Sequence, residues 1–120
     1  MRSNPRAAIA YIAIKLISPN SKKSLFDYSR SKRITFSGNI VPNKVAIYDH
    51  ERGCHITGNG SKNKFNLYHL GDSHHIRLTV EGEKIEGYDY GSSSHFSGAI
   101  KGESISIYDD GESTQFDYSL

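Results

Sequence analysis

The sequence predicts an all-β domain of tandem antiparallel β-hairpins that close radially around an apolar axis. Blocks of 20 residues repeat along the chain, and each block contains two short runs in which apolar and polar residues alternate. Short segments rich in Gly, Asn, Lys and Glu separate the runs and are typical of turns. The alternative is a β-solenoid with 20-residue coils stacked in parallel. A solenoid needs capped ends, which the sequence does not show, so radial closure is favoured.

Tyrosine marks the repeat most clearly. Four blocks follow one another without a gap, covering 35–54, 55–74, 75–94 and 95–114, and tyrosines stand 20 residues apart at Tyr28, Tyr48, Tyr68, Tyr88 and Tyr108. The segment before the first block also fits a step of 22 residues, which matches Phe26 with Tyr48. An insertion of two residues leaves every side chain on its original face of a strand.

Each block is predicted to form one hairpin with a two-residue turn. In 95–114, Gly102 and Glu103 form the turn, so that Gly98 faces Ile107 across the strands. The equivalent pairs are Gly38 with Ile47, Gly58 with Leu67, and Leu78 with Gly87; neighbouring pairs are Ile40 with Val45, Gly60 with Phe65, Val80 with Ile85, and Ile100 with Ile105. Since a small residue repeatedly meets a large one, these pairs are expected to face a closely packed interior.

The two ends of the repeat region are predicted to complete the ring. Residues 115–120, "QFDYSL", form a first strand without its second, and residues 24–29, "SLFDYS", form a second strand without its first. Pairing these two strands places Leu120 opposite Leu25. The pattern leaves open whether the ring has four or five hairpins.

Residues 1–23 are interpreted as an N-terminal extension to a single repeat domain, 24–120. Its apolar run, "IAYIAIKLIS", fits either an extra strand or a short amphipathic helix. The run is short, contains Lys15 and lacks a small-residue cleavage site, so it predicts neither a membrane-spanning helix nor a signal peptide. A single cysteine, Cys54, excludes an intrachain disulfide. A cytoplasmic location is therefore expected, with peripheral membrane association as an alternative.

Charge is distributed unevenly along a chain of net charge +2. Residues 1–34 carry eight basic residues and one acid, whereas residues 81–120 carry nine acids and two lysines. The favoured interpretation is that the two ends of the chain attract each other in the fold. The alternative is a basic patch for an anionic membrane surface, formed by Lys22, Lys23, Arg30, Lys32 and Arg33. Nucleic acid is an unlikely partner at this small net charge.

Two recurring aromatic series are candidate ligand-binding residues. Tyr48, Tyr68, Tyr88 and Tyr108 fall on the face opposite the aliphatic pairs, where their rings could stack on a sugar or enter a lipid interface. The simpler interpretation is that each ring packs against the next hairpin. His55, His75 and His95 would share one rim, where they could bind a metal or respond to pH. The simpler interpretation is that they are polar residues at the start of a strand.

An aspartate follows the aromatic residue at Asp27, Asp49, Asp89 and Asp109. These carboxylates are predicted to cap turns through their own backbone, because no loop holds the dense carboxylate set that calcium requires. The chain has no GxSxG, HExxH, Walker or GxGxxG motif. The sequence therefore predicts a protein without catalytic residues, cofactor or metal.

The motifs "YDHERG", "YDYGSS" and "YDDGES", with their spacing over residues 24–120, resemble the bacterial β-flower proteins. That resemblance implies hairpin petals around a hydrophobic centre and no established activity. A likeness in shape between that family and Tubby-like C-terminal domains has suggested lipid association. The expected function is thus a binding or interaction module for a lipid head group, a glycan or a protein partner. The alternative is a structural domain that mediates self-assembly into a homo-oligomer.

Overall fold

The computed structural model describes all residues from Met1 to Leu120. Ten antiparallel strands form one closed barrel, in which strands that are consecutive in the chain are neighbours and the last strand pairs with the first. The elements are α1 (Ser3–Ile17), β1 (Ser24–Asp27), β2 (Lys32–Val41), β3 (Lys44–Asp49), β4 (Cys54–Ser61), β5 (Lys64–His69), β6 (His74–Glu81), β7 (Lys84–Asp89), β8 (Ser94–Lys101), β9 (Ser104–Asp109) and β10 (Thr114–Ser119). The predicted fold class is confirmed, and antiparallel pairing excludes the solenoid.

The predicted hairpin registers are all present. Each hairpin turns through two residues, at 42–43, 62–63, 82–83 and 102–103. The small-with-large pairs oppose each other as expected: Gly38 with Ile47, Gly58 with Leu67, Leu78 with Gly87 and Gly98 with Ile107. Their inward-facing aliphatic side chains are buried, which places the core inside the barrel.

Strands β10 and β1 form a fifth hairpin that the chain ends split open. Phe26 pairs with Ser119, a register that sets Leu25 against Leu120. The step of 22 residues is the structural one, since Phe26 pairs with Arg33 as Tyr48 pairs with His55. The two extra residues lie in β2, which has ten residues where β4, β6 and β8 have eight.

The N-terminal segment is a helix, one of its two predicted forms, but it lies in the centre of the barrel, so it is neither amphipathic nor an extension outside the repeat domain. Residues 5–14 of α1 are buried on every side of the helix, and the Tyr11 ring stacks on Phe36 at 4.5 Å between centroids. A helix that is apolar all round is stable only when it is fully enclosed. A barrel of about eight strands is just filled by its own side chains. Ten strands leave a wider axis, which α1 occupies.

The barrel has two different ends. The Asp end carries the longer loops (28–31, 50–53, 70–73, 90–93 and 110–113) and the N-terminus of α1, where Arg6 reaches Asp109. The turn end carries the two-residue turns, the C-terminus of α1 and the connection of residues 18–23. Polar residues that are far apart in the sequence can therefore form one surface when they lie at the same end of the barrel.

Candidate functional site

The repeated aspartates lie at the Asp end, buried, and cap their own loops as predicted. The Oδ1 atom of each accepts a hydrogen bond from the backbone N–H two residues further on, at 2.9–3.0 Å, in Asp27, Asp49, Asp89 and Asp109. His69 takes the same position in the second block, and its Nδ1 accepts from the Asp72 N–H at 3.1 Å. The aspartates are therefore part of the fold of each unit.

The second carboxylate oxygen has a different environment from one unit to the next. Asp109 Oδ2 lies 2.9 Å from Arg6 Nη1, whereas Asp49 Oδ2 is buried without a hydrogen-bond partner. Burial raises the pKa of Asp49. Burial also lowers the pKa of His69, whose Nε2 lies 3.7 Å from the Cys54 sulfur. No group of three or more His, Cys, Asp or Glu side chains has an arrangement that could hold a metal ion.

The tyrosine and histidine series form one structural feature on the outside of the barrel. Tyr48, Tyr68 and Tyr88 are half-buried, and each packs edge to face against a histidine of the next hairpin, at centroid distances of 4.7–4.8 Å to His55, His75 and His95 respectively. Tyr108 pairs with Gln115 instead and is exposed. The constant spacing of seven residues between Tyr and His was the sequence signal for these pairs. The histidines lie on separate strands and do not converge.

The five residues of the predicted basic patch do not form one surface. Arg30 Nε lies 2.8 Å from Asp27 Oδ2, and both Arg30 and Lys32 form ion pairs with Glu51 at the Asp end. Arg33 donates to the Ser24 hydroxyl. Lys22 and Lys23 lie at the turn end instead, where Lys22 Nζ is 2.6 Å from Glu103. Glu51, remote in sequence, pairs with two of the five residues of the predicted patch.

The turn end holds a basic surface that the sequence analysis missed. Of the nine lysines in the chain, only Lys32 lies elsewhere; the turn-end set is Lys15, Lys22, Lys23, Lys44, Lys62, Lys64, Lys84 and Lys101. All except Lys15 are exposed, and Lys22 alone forms an ion pair. The acids at this end are Glu81, Glu83 and Glu103, and Glu86 lines a surface hollow together with Lys84. The sequence did contain a signal for this surface, because a lysine stands beside each two-residue turn.

Apolar side chains are exposed within this basic surface. Val41 is 45% exposed and Ile17, the last residue of α1, is 39% exposed. Ile17 borders a shallow hollow of about 230 Å³ whose lining includes Pro42, Phe65 and Val80. The turn end therefore presents lysines around an apolar centre.

The charge asymmetry of the sequence is partly resolved by contacts between the ends of the chain. Lys22 pairs with Glu103, and Arg6 pairs with Asp109, so the basic N-terminal part meets the acidic last block. No helix of the protein has both the length and the apolar composition that crossing a membrane requires. Cys54 is a free, buried thiol. Comparisons of the chain with protein-family models, with curated proteins and with solved structures gave no match.

Proposed function

We propose that the protein is a non-catalytic module whose turn end docks on an anionic membrane surface. The observation that carries this proposal is the collection of eight lysines at one end of the barrel, next to exposed Ile17 and Val41. The acidic loop of Asp110 and Glu112 lies at the opposite end. A charged surface would therefore orient the barrel with its turn end towards the lipid.

The expected energetics follow from the exposure of the lysines. A lysine near an anionic leaflet contributes about 1 kcal/mol, and this attraction weakens as salt shortens the Debye length. Six exposed lysines that pair with no carboxylate are enough for reversible binding, and Ile17 and Val41 add apolar contact with the interface. Binding should accordingly depend both on acidic lipid and on ionic strength.

Vesicle co-sedimentation tests this proposal. The wild type should sediment with phosphatidylcholine vesicles that contain phosphatidylserine, at low salt, and remain free with phosphatidylcholine alone. The double variant Lys62→Glu/Lys64→Glu should lose binding. The matched control is Arg33→Glu/Arg77→Glu, which makes the same change of charge on exposed residues away from the turn end. Absence of wild-type binding at low salt, or equal loss in both double variants, would refute the proposal.

A second candidate function is glycan recognition on the outside of the barrel. Tyr90 is 53% exposed and packs edge to face on Tyr88 at 4.8 Å, while Arg77 approaches its hydroxyl at 3.4 Å. An exposed ring beside hydrogen-bond donors can stack on a sugar. On a glycan array, Tyr90→Ala should abolish any wild-type signal if this surface is the site; an unchanged signal would reject it.

Membership of the β-flower group stays a prediction from the sequence.

A further inference from the structure

A cleft of about 250 Å³ opens at the turn end between α1, the connection of residues 18–23 and β2. Tyr11 and Lys15 line it from the helix, Asn20 and Lys23 from the connection, and Gly38 from the strand. None of its lining residues is acidic. The cleft is thus a positively charged recess within the basic surface described above.

Lys15 brings into this recess a positive charge that no carboxylate pairs with. Its Nζ donates to the backbone oxygen of Asn20 at 2.6 Å and to Asn20 Oδ1 at 3.2 Å, and it forms no ion pair. An ammonium group has three donors, so one remains for a further partner. Burial lowers the pKa of Lys15, and the nearby Lys23 lowers it further, against an opposing effect of Glu103. An anion bound in the cleft would offset the effects of burial and of Lys23, because it would stabilise the charged form of Lys15.

The walls of the cleft are held by bonds that need no ligand. Asn20 Nδ2 donates to the Ser18 backbone oxygen at 2.7 Å, and Asn20 Oδ1 accepts from the Lys22 N–H at 2.8 Å. The Tyr11 hydroxyl donates to the Lys22 backbone oxygen at 3.3 Å. Preorganised walls lower the entropy that a ligand must lose on binding.

Gly38 lines the cleft from β2 without a side chain. Its φ of +104° is one that other residues rarely adopt, and a Cβ added there would lie 2.8 Å from the Ile47 Cα. A side chain at this position would be strained against the backbone of β3, so bare backbone forms this part of the cleft wall.

We propose that this cleft binds a phosphoryl group, with Lys15 and Lys23 as its two cationic contacts. Phosphate oxygens match ammonium donors as charge-assisted hydrogen-bond acceptors. The inference rests on the proposed function for its source of ligand, the head group of a lipid in the surface on which the turn end docks. A soluble phosphate monoester offers the same chemistry, and the two sources separate by experiment.

The first arm of the test uses two vesicle preparations matched in zeta potential, phosphatidylcholine with phosphatidate and phosphatidylcholine with phosphatidylserine. Wild type should prefer phosphatidate, whose phosphate is a monoester, by about tenfold, the effect of one charge-assisted bond. Lys15→Met and Lys23→Gln should each remove the preference. The control Lys62→Gln, outside the cleft, should weaken binding to both preparations equally. Lys23 is exposed and forms no ion pair, so Lys23→Gln remains informative if Lys15→Met unfolds.

The second arm titrates glycerol 3-phosphate and follows the backbone amide signals of Gly38 and Asn39. A saturable shift in wild type that disappears in Lys23→Gln would identify the cleft as the phosphate site, whether or not vesicles bind. Vesicle binding without a phosphatidate preference and without this shift would refute phosphate binding in the cleft and leave the proposed membrane docking intact. Failure of vesicle binding with a retained shift would refute the membrane role and assign the cleft to a soluble ester.

Discussion

Asp49 and Asp109 occupy equivalent positions in the repeat, but replacing each by asparagine should change the free energy of unfolding by very different amounts. Both side chains are fully buried, and both cap their loops through Oδ1, which an asparagine can also provide. They differ at Oδ2, which faces Arg6 in Asp109 and has no partner in Asp49. In Asp109 the substitution therefore removes a carboxylate that pairs with two buried cations, Arg6 and the N-terminal ammonium of Met1. In Asp49 it removes a buried charge that has no ion-pair partner.

The expected magnitudes follow from these contacts. Asp109→Asn leaves the buried Arg6 guanidinium, 2.9 Å away, without its carboxylate, and loss of one partner of a buried pair costs about 3–5 kcal/mol. Asp49→Asn removes a charge that burial opposes, while leaving the polar group without a partner. The two effects offset each other, so the free energy of unfolding should stay within about 1 kcal/mol of wild type or rise.

Urea unfolding at pH 7 measures both variants under one condition. A second series at lower pH checks the cause at Asp49. Because the pKa of Asp49 is raised in the folded state, its carboxyl destabilises the fold as the pH rises above the unfolded value of about 3.9. Any advantage of Asp49→Asn should thus vanish below that pH. Equal destabilisation of both variants at pH 7 would refute the assignment of different environments to the two sites.

Three other substitutions test the packing. Gly98→Leu should lower the free energy of unfolding by about 1–3 kcal/mol, because an added Cβ would lie 2.5 Å from the backbone oxygen of Ser106. Adding Ile107→Gly should not restore stability in urea unfolding, since that backbone oxygen remains in place. Substantial rescue would show that the introduced leucine collides with the side chain of Ile107 instead. Tyr118→Phe should flatten the alkaline loss of stability. Burial raises the pKa of Tyr118 to about 12, so wild type loses roughly 2 kcal/mol as the pH rises from 10 to 12, and an unchanged profile would exclude this tyrosine. Ser93→Gly should stabilise by up to about 1 kcal/mol in thermal unfolding, since Ser93 has a φ of +54°, and a lower melting temperature would contradict that strain.

Strand pairing could be predicted from the sequence because the information is local. Alternation fixes which residues face inward, the two-residue turn fixes the register, and the exchange of Gly98 with Leu78 across equivalent pairs marks the contacts. The sequence could not show that the smaller partner meets backbone as well as a side chain. For that reason the exchange of bulk at Gly98 and Ile107 does not imply that one substitution rescues the other.

The central helix could not be placed from its own residues. Residues 7–14 are apolar in every direction, so they have no periodic face to distinguish a helix from a strand. The decisive information lies in the ring, because five hairpins enclose an axis that their side chains leave unfilled. Only after the split hairpin of β10 and β1 is counted does the barrel require an internal apolar segment.

The basic surface depends on topology in the same way. Lys23 and Lys101 are distant in sequence and come together only because an up-and-down barrel gathers its short turns at one end. The predicted patch failed for the complementary reason, since Glu51 lies in a loop that the same topology brings to Arg30 and Lys32. Charges therefore had to be assigned to the two ends of the barrel before they could be summed.

Residues that recur from unit to unit and residues that break the repeat have different roles in this molecule. The buried aspartates occur in four of the five units, where they cap their loops, and the tyrosine–histidine pairs occur between three pairs of neighbouring hairpins, which they pack together. The cleft at Gly38 occurs once, where α1 leaves the axis and the five-fold pattern cannot be kept. Lysines beside the turns are exposed and leave the core unaffected, so they could be gathered at one end without a cost in packing. A ligand site is therefore best sought where the repeat is broken, at the turn end.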